Sequence, residues 1–168
     1  GKTLVSAAEI CDYFTEEKSA AYPLLKQIAD SLLCFPEISR HIDSILDKFG
    51  NIKDNASPEL QQLRRKLLSV SSSVNGMMQR VISRYKQNGM LDKDCTPSIR
   101  DGRLVIPVAP MHKRAVKGIV HDESATGKTF FIEPEEIVEA NNQIRELEAD
   151  IHKEIVRILI MTADIIRP

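Results

Sequence analysis

The chain has 168 residues, 42% of them hydrophobic and 5% aromatic with no Trp, and its 23 basic and 24 acidic side chains leave a formal charge of −1. That length suits one domain with its own core or two small linked units, and near-neutrality excludes a chain-wide electrostatic address for nucleic acid or anionic membrane. Few aromatics beside abundant Leu, Ile, Val and Ala favour helix packed on helix, so a mainly α fold is expected.

Cys11, Cys34 and Cys95 are odd in number and lack CxxC spacing, which argues against a disulfide framework or a zinc knuckle and for a reducing, cytoplasmic setting. No apolar run approaches the ~20 residues needed to cross a bilayer, and no signal-peptide pattern opens the sequence.

In chain order, the first third reads as short helices. Thr15 is a plausible N-cap, followed at helical spacing by Tyr22, Leu25, Ile28, Ala29, Leu32 and Leu33. Pro36 opens a second helix bearing Ile38, Ile42, Ile45 and Phe49, stopped by Gly50-Asn51. Ser57-Pro58-Glu59 then supplies an N-cap, a proline at the first helical position and an early acid.

The helix that follows carries Leu60, Leu63, Leu67, Val70, Val74, Met77 and Val81 at alternating spacings of three and four, a coiled-coil seam, and should end near Asn88-Gly89. Ser71, Ser72, Ser73 and Gly76 make its middle the weakest stretch.

From Ser98 to Asn142 the apolar period turns extended and then helical again. Arg103–Val108, Val116–Val120 and Thr129–Ile132 have strand composition, and Asp101-Gly102 signals a tight hairpin from Ile99 to Val108. Pro107 and Pro110 cannot donate to a ladder, which puts that strand's end at an edge.

Glu133-Pro134-Glu135-Glu136 restarts a helix whose seam is Ile137, Ala140, Ile144, Leu147 and Ile151, then Glu154 as a break, then Ile158 and Met161. Residues 57–91 carry +5 and 133–168 carry −5. Two seams of opposite charge, joined by a β module, suggest an antiparallel coiled-coil lever with that module at its tip. The expected divisions are a helical core segment (1–56), a first lever helix and linker (57–97), a β-rich clamp (98–133) and a second lever helix (134–168).

Gly127-Lys128-Thr129 resembles the end of a phosphate-binding loop, but Asp122 stands where that motif needs glycine, and a strand follows where a helix should begin. His121-Asp122-Glu123 could suggest a metal site for a hydrolase. Adjacent residues on a strand point to opposite faces, so a structural role is favoured, with Asp122 and Ser124 shaping a turn.

The better lead is the cation set Arg100, Arg103, Lys113, Arg114 and Lys117, which leaves +4 from Ile99 to Val120, with Lys128 extending it. Such a cluster suits salt-sensitive contact with nucleic-acid phosphates. The rival reading is a coiled-coil scaffold for dimerisation or protein docking, its cations merely solubilising and Glu154 setting register.

Four runs carry a resemblance: Ile52–Leu60 (IKDNASPEL), Arg100–Val108 (RDGRLVIPV), Lys117–Ser124 (KGIVHDES) and Phe131–Pro134 (FIEP). Together they resemble the second bacterial MutS subfamily, the endonuclease-type MutS paralogues, most strongly from Ile52 to Leu159. The resemblance implies a core, lever and clamp piece of a homodimeric protein whose ATPase domain, using ATP and Mg, and whose C-terminal Smr nuclease domain lie outside this chain. It also implies action on branched DNA, suppressing recombination, or on collided ribosomes. No cofactor, metal or catalytic residue is expected within the chain itself, nor a membrane.

Overall fold

A computed structural model describes residues 2–167. The chain is mainly helical with one small antiparallel sheet. Its helices are α1 (Lys2–Tyr13), α2 (Glu16–Ala21), α3 (Pro23–Asp30), α4 (Pro36–Ile45), α5 (Pro58–Gln87) and α6 (Val138–Ile166), and its strands are β1 (Ser98–Arg100), β2 (Arg103–Val108), β3 (Gly118–Glu123) and β4 (Phe130–Pro134). Two compact units result, Gly1–Gln61 with Glu154–Pro168, and Gln62–Lys153.

In the first unit, the helix expected after Thr15 is two. Thr15 occupies the N-cap position of α2, but Tyr22 leaves helical geometry at φ −135° and Pro23 starts α3. A proline disfavours helical backbone in the residue before it, and that local rule outweighs the apolar spacing. Only Ala29 of the expected stripe is buried, and Leu25, Ile28 and Leu33 are exposed.

The second helix likewise stops at Ile45, short of Phe49. Leu46 turns extended and bridges to Ile52, while the Asp47 carboxylate accepts from the Phe49 and Asn51 amides and closes the turn. Those bonds hold the Asp47 carboxyl below its usual range, the Asn51 amide contributing most. The cap of α5 is as the sequence indicates: Ser57 Oγ accepts from the Leu60 amide at 3.0 Å. The same hydroxyl donates to Glu154 at 2.6 Å, so the polar break in the last seam has a partner, and Arg157 holds its other side.

In the second unit, α5 runs without interruption to Gln87 despite its serines and Gly76. Its buried positions are Val74, Met78, Val81, Ile82 and Tyr85, a 3.6-residue pattern, and Met77 is only half-buried. Beneath a sheet the apolar stripe must be wider than a two-helix seam, which accounts for Val81 and Ile82 both being buried. Met78, Val81, Ile82 and Tyr85 form the core with Leu91, Ile106, Val108, Val116, Ile132 and Ile137.

The sheet order is β1-β2-β4-β3, all antiparallel. Asp101 and Gly102 have φ of 49° and 73°, the double left-handed geometry of a two-residue hairpin, which Asp tolerates and Gly adopts freely. β1 reaches only to Val105 on β2, so Pro107, paired with Phe131 on the other side, has no strand beyond it. β3 begins two residues later than its composition suggests. Glu133-Pro134 ends β4 instead of opening a helix; a 3-10 turn over Glu135–Ile137 intervenes and α6 begins at Val138. Ile137 of the 3-10 turn and Leu147 and Ile158 of α6 are buried, but Met161 is 53% exposed.

Two glycines have opposite settings. A Cβ on Gly76 would meet nothing within 4 Å, whereas on Gly118 it would lie 2.1 Å from the Glu133 carbonyl oxygen across the β3–β4 pair. Gly76→Ala should therefore raise stability by about 0.5–1 kcal/mol through helix propensity. Gly118→Ala should lower it by about 1–3 kcal/mol by forcing the strands apart. Urea unfolding followed by circular dichroism measures both.

Candidate nucleic-acid interface

The six cations proposed from sequence divide by what surrounds them. Arg103 lies inside: its Nη1 donates to Glu133 Oε1 at 2.8 Å and its Nη2 to Asn142 Oδ1 at 2.8 Å, leaving the side chain 15% exposed. Its guanidinium is occupied within the protein and is not presented to a phosphate. Arg100 lies over the Phe131 ring, 3.9 Å from the centroid, with Nε 3.3 Å from the Asp122 carboxylate.

Lys117 precedes β3 at the end where Gly118 pairs with Pro134. Its backbone carbonyl accepts from Glu135 and its amide donates to Tyr85 Oη, so it sits beside the acidic start of the 3-10 turn. The opposite end of the sheet, where Val108 and Glu123 both pair with Phe130, holds Lys113 and Lys128. Lys113 Nζ stands 3.8 Å over the Phe130 ring, Lys128 lines a groove with Val108, Ala109 and Lys93, and Arg114 follows Lys113 in the exposed β2–β3 connection. Neither Arg114 nor Lys128 makes an ion pair among the described residues.

Gly127-Lys128-Thr129 forms the β3–β4 hairpin turn. Ser124 amide donates to Thr129 O at 2.8 Å, Thr129 amide donates back to Ser124 Oγ at 3.0 Å, and Gly127 amide donates to Ser124 O. Three backbone donors are thus consumed internally, and no helix N-terminus follows to cradle an anion.

Sequence reasoning missed the carboxylate at the centre of the module. Glu133 is fully buried, accepting from Arg103, from Asn141 Nδ2 at 2.7 Å and from His121 Nε2 at 2.5 Å. His121 reaches it because β3 bulges between Val120 and Asp122 and turns its side chain inward. Asn141 also brackets the Leu104 backbone of β2, donating to its carbonyl and accepting from its amide. Burial by itself would push the Glu133 carboxyl up, but the bonds from Asn141, His121 and Arg103 outweigh it and hold the group below the usual range.

The visible signal was a charged residue at the end of a strand-like apolar run, which demands a partner if buried. His121, Asp122 and Glu123 do not converge: Asp122 pairs with Arg100 and accepts from the Glu123 amide. No group of three or more His, Cys, Asp or Glu among the described residues could hold a metal ion. Among the described residues, no helix is long and apolar enough to cross a membrane.

Removing the Glu133 charge strands a buried guanidinium, so Glu133→Gln should cost about 3–5 kcal/mol. The wild-type contribution is complete above the unfolded carboxyl value of about 4.3 and is lost as pH falls through the lower folded value. Urea midpoints from about pH 7 down to about pH 3 should show this acid loss in the wild type and less of it in Glu133→Gln.

No family model matches the chain. Among curated proteins, it is 39% identical over 157 residues to a protein named Endonuclease MutS2 from Pelotomaculum thermopropionicum, covering 94% of this chain and 20% of that one. It is 39% identical over 144 residues to the protein of that name from Halalkalibacterium halodurans (86% of this chain, 18% of the relative), and 35% identical over 158 residues to that from a Geobacillus strain (92% and 20%). Arg103, His121 and Glu133 all belong to the runs that carry the family resemblance. The chain is accordingly a MutS2-type segment, matching that subfamily over most of its own length while spanning about a fifth of the length of the curated relatives.

Proposed function

We propose that this segment is the lever and clamp of a longer MutS-like ATPase, and that its β module touches nucleic acid through phosphates. The observation that carries this reading is the placement of Lys113 and Lys128 at one end of the sheet, away from Lys117 and its acidic neighbours, with the exposed Arg114 next to Lys113 in the chain. Contacts of this kind fix position without reading bases, which suits a target defined by shape, either branched DNA or the RNA of collided ribosomes.

Each unit also holds a tie at the start of one long helix to the other, Ser57 capping α5 to Glu154 of α6 in the first and Glu136 of the 3-10 turn before α6 to Arg84 of α5 in the second, and these support a paired lever. ATP and Mg would be bound by the longer protein outside this segment, as would any nuclease centre, and the parent would act as a homodimer.

A scaffold reading has its own support. Leu24, Leu25, Ile28 and Leu33 in the first unit are more than half exposed, as are Ile160, Met161 and Ile165 on α6. Sedimentation of the chain alone over a range of concentrations separates the two: stable dimers without nucleic-acid affinity favour the scaffold.

Charge reversal at Lys113, Arg114 and Lys128 together should weaken binding to a labelled four-way DNA junction and to collided ribosomes, and lower the slope of log affinity against log salt by about three. Anisotropy and cosedimentation titrations measure this. Unchanged affinity of the triple variant for both targets would overturn the assignment, and Lys117→Glu should have the smaller effect.

A further inference from the structure

Cys11 lies in the last turn of α1, and Cys34 in the connection between α3 and α4, 23 residues later. Their sulfurs stand 3.0 Å apart, and Cys11 Sγ is also 3.8 Å from the carbonyl oxygen of Ala29, which is buried. α1 packs against both α3 and α4, so the pair is brought together by three elements of the first unit and not by chain proximity. Both cysteines are free and half-buried, within reach of a small oxidant.

We propose that Cys11 and Cys34 form a reversible intramolecular disulfide on exposure to a peroxide, stapling α1 to the α3–α4 connection. The bond length of about 2.0 Å requires the sulfurs to close by about 1 Å, within the reach of side-chain adjustment.

The chemistry balances with the peroxide as oxidant. The Cys11 thiolate attacks the O–O bond, an S–O bond forms, and the departing oxygen takes a proton to leave as water when hydrogen peroxide is used. The Cys34 sulfur then attacks the sulfenic sulfur, the S–S bond forms, the S–O bond breaks, and the hydroxyl leaves with the Cys34 proton as a second water. Two thiols lose two electrons and two protons in all. The contact with Cys11, and burial after it, holds the Cys34 thiol above its ordinary range. Cys95 belongs to the second unit, and burial there pushes its thiol up, which slows its own oxidation.

The test uses the 168-residue chain and hydrogen peroxide, read by peptide mass spectrometry and thiol counting. The expected result is a monomer lighter by two hydrogens, a Cys11–Cys34 linked peptide, one remaining free thiol, and full reversal by a dithiol reductant. In denaturing urea the bridge should form roughly tenfold more slowly or worse, because the folded proximity is lost. Cys34→Ser should instead accumulate sulfenic acid at Cys11, trapped by dimedone, while Cys95→Ser should leave the bridge intact. Bridging through Cys95, links only between chains, or equal rates with and without urea would each overturn the proposal.

Discussion

The buried carboxylate of Glu133 is the constraint around which the second unit is organised. An ion of that size costs several kcal/mol to remove from water, and it is tolerable only when its lone pairs are filled and its charge is met. Arg103 meets the charge, and Asn141 and His121 fill the remaining positions. These four residues come from β4, β2, α6 and β3, so the requirement of one side chain fixes three strands and a long helix to one another. A one-residue slip in the strand pairing would turn Ile106, Val108 and Ile132 out of the core, and any slip would also separate the carboxylate from its donors. Gly118 answers the same demand from the other side, since only a residue without Cβ allows β3 to approach the Glu133 backbone so closely.

What was legible in the sequence was what depends on neighbouring residues. The Ser57 cap, the Asp101-Gly102 hairpin, the extended stretch at Arg103–Val108 and the end of α5 at Asn88-Gly89 are set within a few residues by backbone sterics and local hydrogen bonds. What was not legible depends on separations of 12 to 30 residues: His121 and Arg103 meet Glu133 only after the sheet has formed. The bulge that turns His121 inward leaves no mark in composition, because the extra residue is identified only by the strand it faces.

Where local signals competed, the stronger steric one won. Pro23 broke the helix that apolar spacing continued, and Asp47 closed a turn ahead of the glycine expected to stop α4. The same hierarchy explains the long helices. Heptad spacing in α5 is equally compatible with a two-helix seam and with one side of a wider core, and the sheet decides between them from Met78 onward by recruiting Met78 and Ile82. Leu63, Leu67 and Val70, before that point, are only half-buried.

Charge is the property that a sum along the chain describes least well. The net +4 counted from Ile99 to Val120 treats five cations as one patch, yet consecutive strand residues point to opposite faces, and the β2–β3 connection carries Lys113 and Lys117 to opposite ends of the sheet. One of the five neutralises a buried acid, one is shared between an aromatic ring and Asp122, and one stands beside Glu135. Folding brings Lys128, fourteen residues after Arg114, to the end of the sheet reached by Lys113. A polyanion samples the folded field within about a Debye length of roughly 8 Å, so the local group matters more to it than the linear total. The electrostatic case for phosphate contact thus rests on fewer cations than the sequence contains, concentrated by the register that Glu133 holds in place.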